Sequence, residues 1–222
     1  MKTAILVDGG FYRRRAQSRL GDKTPADRAE ELSAYCKRHL NQFTSNEKKI
    51  YSELYRIFYY DCPPTGKKVY HPLLQKQIDL SKTDLYTWTN QFFDELKHHR
   101  KFALRLGKLA DAQAQYVIKP DITKKLCRGA INFYDLTEND FVLSIEQKGV
   151  DMKIGLDIAS LAYKRLVDQI VLISGDSDFV PAAKLARREG IDFILDPLGA
   201  AIKPDLFEHI DGLKSCDNAY KK

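Results

Sequence analysis

Several features that identify common classes of protein are missing from this chain of 222 residues. No apolar run is long enough to cross a bilayer, and the apolar stretch at the N-terminus meets Asp8 too early for a secretory signal. The cysteines are scattered without zinc-finger spacing, at positions Cys36, Cys62, Cys127 and Cys216. We therefore expect a cytoplasmic protein whose thiols are reduced.

The motifs that bind nucleotides are also absent. The chain has no Gly-x-x-x-x-Gly-Lys-Ser/Thr loop, which argues against an ATPase or GTPase, and no Gly-x-Gly-x-x-Gly, which weakens the case for a dinucleotide cofactor. Its five histidines lack metal-ligand spacing, and the one adjacent pair, His98-His99, diverges on a helix. Carboxylates are the remaining candidates for chemistry.

Two carboxylates stand where a predicted strand meets a predicted helix. The run 169–173 is short, β-branched and continuous, which is typical of a buried parallel strand. The residues from Val180 to Gly190 predict a helix, with a proline in the first turn and a glycine at the end. Asp176 and Asp178 lie between them, at the sheet edge where open α/β folds bind ligands. Two acids so close repel each other unless a cation or protons lie between them.

Two further acids are predicted to reach the same edge. Asp8 ends the buried strand candidate 3–7, and Asp151 lies in the first turn of a helix that feeds the next strand. Carboxylates that converge from separate segments are typical of magnesium or manganese sites, and such an ion can activate water against a phosphodiester. Alternatives remain open, because Asp8 can be a turn residue and Asp151 and Asp178 can be plain helix N-caps. Asp157 is an outlying candidate, since the helix turns it about 120° away from Asp151.

The chain is basic, with a formal net charge of +6. Its lysines and arginines are clustered, and the first cluster, which includes Arg13 and Arg14, follows the strand candidate 3–7. Basic clusters around a group of acids are expected for a polyanionic substrate with a metal-neutralised centre. A soluble surface that is merely basic explains the charge equally well, so charge alone does not decide.

Predicted strands alternate with predicted helices along most of the chain. This alternation predicts an α/β fold with a mostly parallel central sheet, right-handed crossovers and helices on both faces. We expect a single domain over 1–222, in which 62–140 is an insertion or elaboration on the site side. Helices are also predicted over 73–97 and 203–213.

Three segments together resemble the NYN domain of the PIN-like nuclease superfamily, in its LabA-like (DUF88) bacterial branch. They are Val7-Asp8-Gly9-Gly10-Phe11, Lys148-Gly149-Val150-Asp151 with Asp157, and Ser174-Gly175-Asp176-Ser177-Asp178-Phe179 with Pro181. The resemblance covers the ranges 1–60 and 141–213, whereas the middle of the chain carries no recognised motif. The order and spacing of the second and third segments make the match fairly specific.

The resemblance implies a PIN-like Rossmannoid fold and cleavage of RNA, in preference to DNA, by clustered acids with Mg²⁺ or Mn²⁺ as cofactor. The metal-binding and catalytic positions that it assigns are Asp8, Asp151, Asp176 and Asp178. Lys148 matches a basic family position, where it would contact substrate phosphate or support Asp151. The remaining substrate-binding candidates are Ser174, Arg13 and Arg14. One departure is Phe11, which occupies the place of the asparagine in the Asp-Gly-x-Asn of many NYN domains and removes a polar group that could orient water or phosphate.

Two other functions compete with a nuclease. A haloacid-dehalogenase-type phosphatase also places acids after a strand, but its nucleophile strand needs Asp-x-Asp, and Gly10 occupies the second acid position here. A PIN-like module that binds nucleic acid or protein without cleavage is the non-enzymatic alternative. The intact acids argue against it, whereas Phe11 keeps it open. Homo-oligomer formation is also possible, and no membrane partner is expected.

Overall fold

The structure, a computed structural model, describes residues 1–43 and 49–220. In chain order the strands are β1 (Lys2–Asp8), β2 (Asn41–Phe43), β3 (Lys49–Tyr51), β4 (Glu53–Asp61), β5 (Lys68–His71), β6 (Lys76–Asp79), β7 (Phe102–Leu106), β8 (Lys108–Leu109), β9 (Gln115–Ile118), β10 (Phe141–Ser144), β11 (Gln147–Lys148), β12 (Gln169–Ile173), β13 (Asp192–Asp196) and β14 (Gly212–Leu213). The helices are α1 (Gly9–Leu20), α2 (Pro25–Arg38), α3 (Asp84–His98), α4 (Pro120–Cys127), α5 (Val150–Tyr163), α6 (Val180–Arg188) and α7 (Pro204–Glu208). Among the described helices, none combines the length and the apolar character that crossing a membrane requires.

Six of the strands form the central sheet, in the order β14-β13-β12-β1-β4-β7. Every neighbouring pair in this sheet is parallel. The carboxyl ends of β1, β4, β12 and β13 therefore meet at one edge. The predicted α/β class and parallel sheet are confirmed.

Side-chain alternation along the strands builds a core on each face of the sheet. Ala4 and Leu6 of β1 pack with residues of α5 and α6, such as Ile158. Ile5 and Val7 point the other way, into a core with α1, α2 and α3. All five residues of β12 are buried, as a central parallel strand requires. Helices thus cover both faces, as predicted.

The predicted helix over 73–97 is wrong in its first half. Residues 68–79 form the antiparallel pair β5–β6, in which Val69 and His71 are buried while their neighbours on β5 are exposed. The ring of His71, just before the predicted helix, lies near aromatic rings of β9 and β10, and the backbone of 76–79 pairs with β5 as a strand. The helix α3 begins only after Thr83, whose hydroxyl accepts the backbone N–H of Tyr86.

The predicted helix over 203–213 is also too long. The helix α7 ends at Glu208, and β14 joins the edge of the central sheet beside β13. Asp211 fixes this change of direction, because its carboxylate accepts the Phe193 N–H at 2.9 Å and the Arg187 Nε–H at 2.8 Å. Phe193 belongs to β13 of the central sheet and Arg187 to α6, so Asp211 ties the segment to both elements.

Residues 62–140 contribute to the central architecture as well as to its periphery. Strand β7 pairs with β4 at one edge of the sheet, and α3 packs in the second core. The small pairs β8–β11 and β9–β10 connect this range with the residues that follow it. Treating the range as an insertion within one domain stays a prediction.

Candidate active site at the carboxyl edge of the sheet

Asp8 connects the ends of two central strands. It ends β1 and is the N-cap of α1, where its Oδ1 accepts the backbone N–H of Phe11 at 3.0 Å. Its Oδ2 accepts the hydroxyl of Ser174 at 3.1 Å. Ser174 is buried directly after β12, which runs beside β1. The hydroxyl of Ser174 therefore holds the carboxylate of Asp8 in a fixed orientation.

The turn after β12 carries two further acids. The Asp176 N–H donates to Ser174 Oγ at 3.3 Å, and the Asp176 Oδ1 accepts the Asp178 N–H at 3.0 Å. Both aspartates are exposed, whereas Phe179 anchors the end of the turn in the core. These hydrogen bonds fix the carboxylate of Asp176, and the buried ring of Phe179 holds the turn that places Asp178 at the rim.

Asp151 reaches the rim from the first turn of α5. Gly149 precedes the helix with φ of 80°, a left-handed conformation that favours glycine. Partial burial of the carboxyl group, followed by the negative charges of Asp176 and Asp178, raises the pKa of Asp151. The negative charges of Asp176 and Asp178 therefore act on Asp151, which belongs to a separate element.

Asp8 interacts electrostatically with this group through Asp151. Burial is the main cause that raises the pKa of Asp8, and the charge of Asp151 raises it further. The hydrogen bonds from Phe11 and Ser174 and the positive charge of Arg14 act in the opposite direction. A group of carboxylates that disfavour their own ionisation is stabilised by a bound cation.

The donor set fits a hard divalent cation. All four aspartates offer carboxylate oxygens, which Mg²⁺ and Mn²⁺ prefer together with several waters. Among the described residues, three potential ligand atoms lie within 4.8 Å of one another only in a separate cluster at α7, formed by Asp205, Glu208 and His209. No three carboxylate oxygens of the rim aspartates therefore lie within 4.8 Å of one another, so an ion at the rim would be held through bridging water or after movement of the side chains.

Polar groups from three segments surround Gly10. A Cβ at this position would lie 3.6 Å from Asp8 Oδ1 and 3.7 Å from both Arg14 Nη1 and Gln147 Oε1. Arg14 is exposed, and its charge acts on Asp8. The absence of a side chain at Gly10 thus leaves room beside the acids, next to a guanidinium that can meet a phosphate.

Comparison with protein families now identifies the domain. The model of the NYN domain matches residues 29–200, more than half of the chain. The chain belongs to the NYN domain family. NYN domains are part of the PIN-like nuclease superfamily, so the family points to hydrolysis of nucleic acid. The LabA-like (DUF88) branch stays a prediction.

Three of the four aspartates, Asp151, Asp176 and Asp178, lie inside the matched range of the NYN domain, whereas Asp8 precedes it. A crystal structure of a protein of unknown function from Vibrio parahaemolyticus is similar, with 17% sequence identity and a TM-score of 0.49. The similarity covers 98% of this chain and 94% of that chain. None of the curated proteins matches the sequence.

The two candidate arginines of the NYN domain differ in their surroundings. Arg13 is paired with buried Asp61, through Nε to Oδ2 at 3.0 Å and Nη2 to Oδ1 at 3.1 Å. Arg14, in contrast, faces solvent beside Asp8. Of the two, Arg14 is the one whose charge is available to a phosphate.

Sequence reasoning missed Asp61 and Asp196, which end β4 and β13 in the same way that Asp8 ends β1. Asp61 also accepts the Tyr59 hydroxyl at 3.1 Å and the Cys62 N–H at 2.8 Å. Asp196 accepts hydrogen bonds from four groups, namely the Tyr35 hydroxyl, His39 Nε2, the Ser215 hydroxyl and the Leu198 N–H. An acid at the carboxyl end of a predicted strand was the signal for both. Their internal partners make them structural, unlike the aspartates at the rim.

Two other candidates are held by neighbours outside the acidic group. Asp157 accepts the Tyr60 hydroxyl at 2.8 Å and the Arg105 Nε–H at 3.0 Å, which fixes α5 against the strands. Lys148 is exposed, with its Nζ 3.7 Å from a carboxylate oxygen of Glu146. These contacts favour a structural role for Asp157 and leave the ammonium of Lys148 accessible.

Proposed function

We propose that this NYN domain is a metal-dependent nuclease that hydrolyses phosphodiester bonds, in RNA rather than DNA, with Mg²⁺ or Mn²⁺. The observation that carries the proposal is the arrangement of the rim aspartates, in which Ser174 connects the carboxylate of Asp8 to the turn of Asp176 and the negative charges of Asp176 and Asp178 act on Asp151. Family membership supplies the reaction class. Cytoplasmic location and homo-oligomer formation stay predictions.

Four side chains would hold the ion, namely Asp8, Asp151, Asp176 and Asp178. When bound, a divalent ion supplies charge neutralisation at the phosphate and a lower pKa for the attacking water. Ser174 and the Phe11 N–H keep the carboxylate of Asp8 in position, so this ligand is ordered in advance.

The chain's own groups orient the phosphodiester. The N-terminus of the twelve-residue helix α1 directs its positive end to this rim, and Arg14 offers a guanidinium beside it. In the reaction, the water oxygen bonds to phosphorus and the bond from phosphorus to the leaving ribose oxygen breaks. The water loses one proton to solvent, and the leaving oxygen takes one, which gives a phosphomonoester and an alcohol.

Cleavage of single-stranded and structured RNA, with DNA in parallel, tests the proposal in the presence of Mn²⁺. Asp176→Asn is the informative variant, because the amide oxygen can still accept the Asp178 N–H while the charge is removed. We expect this variant to lose cleavage. Asp205→Asn, which removes an exposed acid of the α7 cluster, is the matched control and retains activity.

Equal cleavage by Asp176→Asn and the unmodified chain would contradict the proposal. Binding of RNA without cleavage under all metal conditions would favour the non-catalytic module instead. Cleavage of DNA but not RNA would retain the nuclease and overturn the substrate preference, which rests on family resemblance.

A further inference from the structure

A cavity of about 170 Å³ has none of the four rim aspartates in its lining but includes Gln147 and Cys62, which lie near the acidic site. One wall is the start of α3 and the turn before it, with Leu80 and Tyr86. The lining also includes Leu109, Leu143 and Ile145, from the two small strand pairs and the residue after β10. We call this cavity the apolar slot. Most of its lining is unsuited to a phosphate or a metal ion.

The apolar slot adjoins the acids at two points. Gln147 lines it, and Gln147 Oε1 lies as close as Arg14 Nη1 to the Cβ position above Gly10. Cys62 also lines it, and Cys62 Sγ lies 3.0 Å from a Cβ position on Gly107, as does a methyl group of Val150, the residue before Asp151. A ligand at the aspartates therefore has the slot within reach.

Arg13 also lines the slot. Its guanidinium is paired with Asp61, and its Nη1 lies 3.4 Å from the hydroxyl of Thr89. A guanidinium whose edge is already paired can still stack its face on a nucleobase. A stacked base would give Arg13 a contact with substrate that does not involve phosphate.

We propose that the apolar slot receives one nucleobase of the nucleic acid whose phosphate lies at the rim aspartates. The inference deepens the proposed nuclease function and rests on it for the identity of the ligand. The volume is below the ~300–1,000 Å³ of ordinary small-molecule sites, which suits a single ring system rather than a whole ligand. A net charge of +6 and the accessible Arg14 favour a polyanion that has apolar parts, as nucleic acids do.

A neighbouring cavity of about 290 Å³ is the competing position for a base. It shares Arg13 and Leu85 with the slot and is also lined by Trp88. The residues that line this cavity do not include Gln147, which connects the slot to the space beside Gly10 and Asp8. The slot is therefore the better candidate for a base whose phosphate lies at the rim aspartates.

Filling the slot tests the inference. Leu143 and Val142 are neighbours on β10 whose side chains point to opposite faces, and only Leu143 lines the slot. Leu143→Trp is the test variant and Val142→Trp is its matched control. Binding of a short labelled oligouridylate and of its abasic analogue is measured by fluorescence anisotropy with Ca²⁺ in place of Mn²⁺, so that a hard cation neutralises the rim aspartates. A gel run on the same samples checks that both probes stay intact.

We expect the unmodified chain and Val142→Trp to bind the oligouridylate about tenfold more tightly than the abasic analogue. Leu143→Trp is expected to bind both equally. If Leu143→Trp does not fold, Ile145→Trp fills the same slot from a residue that is not among those beside Gly10, and it is expected to give the same loss. Discrimination that survives in a folded slot-filling variant, or that is absent from the unmodified chain, would overturn the inference.

The outcome is independent of the nuclease test. Cleavage without base discrimination would retain the nuclease and reject the slot. Discrimination that Leu143→Trp abolishes, in a chain that never cleaves, would retain the slot as part of a binding module.

Discussion

The ring of Phe11 lies directly against Gly175. A Cβ on Gly175 would be 2.8 Å from Cε2 of that ring and 3.2 Å from Cζ. Phe11 follows the strand that ends in Asp8, and Gly175 begins the turn that carries Asp176. Phe11, which occupies the position of the family's asparagine, therefore packs the two halves of the site together and has a structural role there.

Gly175→Ala is expected to destabilise the domain by about 1–3 kcal/mol, because the added methyl group overpacks the contact with Phe11. Chemical denaturation measures this change. Phe11→Leu in the same chain removes the ring and is expected to restore part of the loss. If Gly175→Ala alone were as stable as the unmodified chain, the ring of Phe11 would be free to move away from the new methyl group.

Gly10→Ala is expected to fold normally and to lose cleavage by about tenfold or more. The new methyl group makes only ordinary contacts, but it occupies the space between Asp8, Arg14 and Gln147 where a phosphate would lie. Alanine also favours the helix over glycine by at most about 0.5–1 kcal/mol. Thermal unfolding and cleavage rates are compared on the same preparation.

Gly155→Ala is the matched control for Gly10→Ala. Gly155 lies inside α5, and a Cβ there meets no atom within 4 Å. The same gain in helix propensity is expected without a loss of cleavage. Equal activity of both variants would remove Gly10 from the substrate path.

Asp8→Asn is expected to stabilise the metal-free domain at neutral pH. Because the folded pKa of Asp8 is raised above its ordinary value of 3.8, its favourable contribution is complete below that value and is lost as the pH rises through the folded pKa. Asparagine avoids the buried charge and remains a good N-cap. Melting temperatures in a chelator are expected to differ at pH 7 and to converge in acid.

Asp157→Asn is expected to change stability in the opposite direction at neutral pH. The carboxylate of Asp157 accepts hydrogen bonds from Tyr60 and Arg105, so its neutralisation costs up to about 1 kcal/mol. Both variants remove one negative charge. At Asp8 the protein disfavours that charge, whereas at Asp157 the carboxylate accepts hydrogen bonds from Tyr60 and Arg105. If both variants lowered the melting temperature at pH 7, burial of the Asp8 charge would not be a cost to the fold.

Binding of Mn²⁺, measured by calorimetry, is expected to depend on the rim aspartates and not on α7. Asp151→Asn removes an acid that shares a field with Asp176 and Asp178, so weaker binding is expected. His209→Ala breaks the compact cluster with Asp205 and Glu208 and is expected to leave the main binding event intact. The reverse pattern would place the metal at α7.

Local sequence was sufficient to predict an element where a strand is buried on both faces and is followed by characteristic turn residues. The strand 169–173 and the turn through Asp178 follow from a continuous apolar run and a proline-containing first helical turn. The hairpin around His71 did not follow, because its burial depends on rings from β9 and β10 that are distant in sequence. Tertiary contacts overrode local helix preference there.

The difference between Arg13 and Arg14 also lay beyond sequence. Both follow Asp8 in a run of basic residues, but only the helical geometry of α1 turns Arg13 towards the buried end of β4. Asp61, which ends β4, pairs with it there, and this strand end was not among the predicted site residues. Knowing which acids have internal partners requires the packing of the whole sheet.

The hydrogen bond between Asp8 and Ser174 joins residues that are 166 positions apart in the chain. The strand that ends in Asp8 lies between β4 and β12, so its second neighbour is synthesised much later than the first. When β1 and β4 of a nascent chain have emerged from the ribosome, Asp8 is therefore exposed, because Ser174 and the other rim acids have not yet been synthesised. Any activity that needs all four carboxylates begins only when translation has delivered β12 and the turn that follows it.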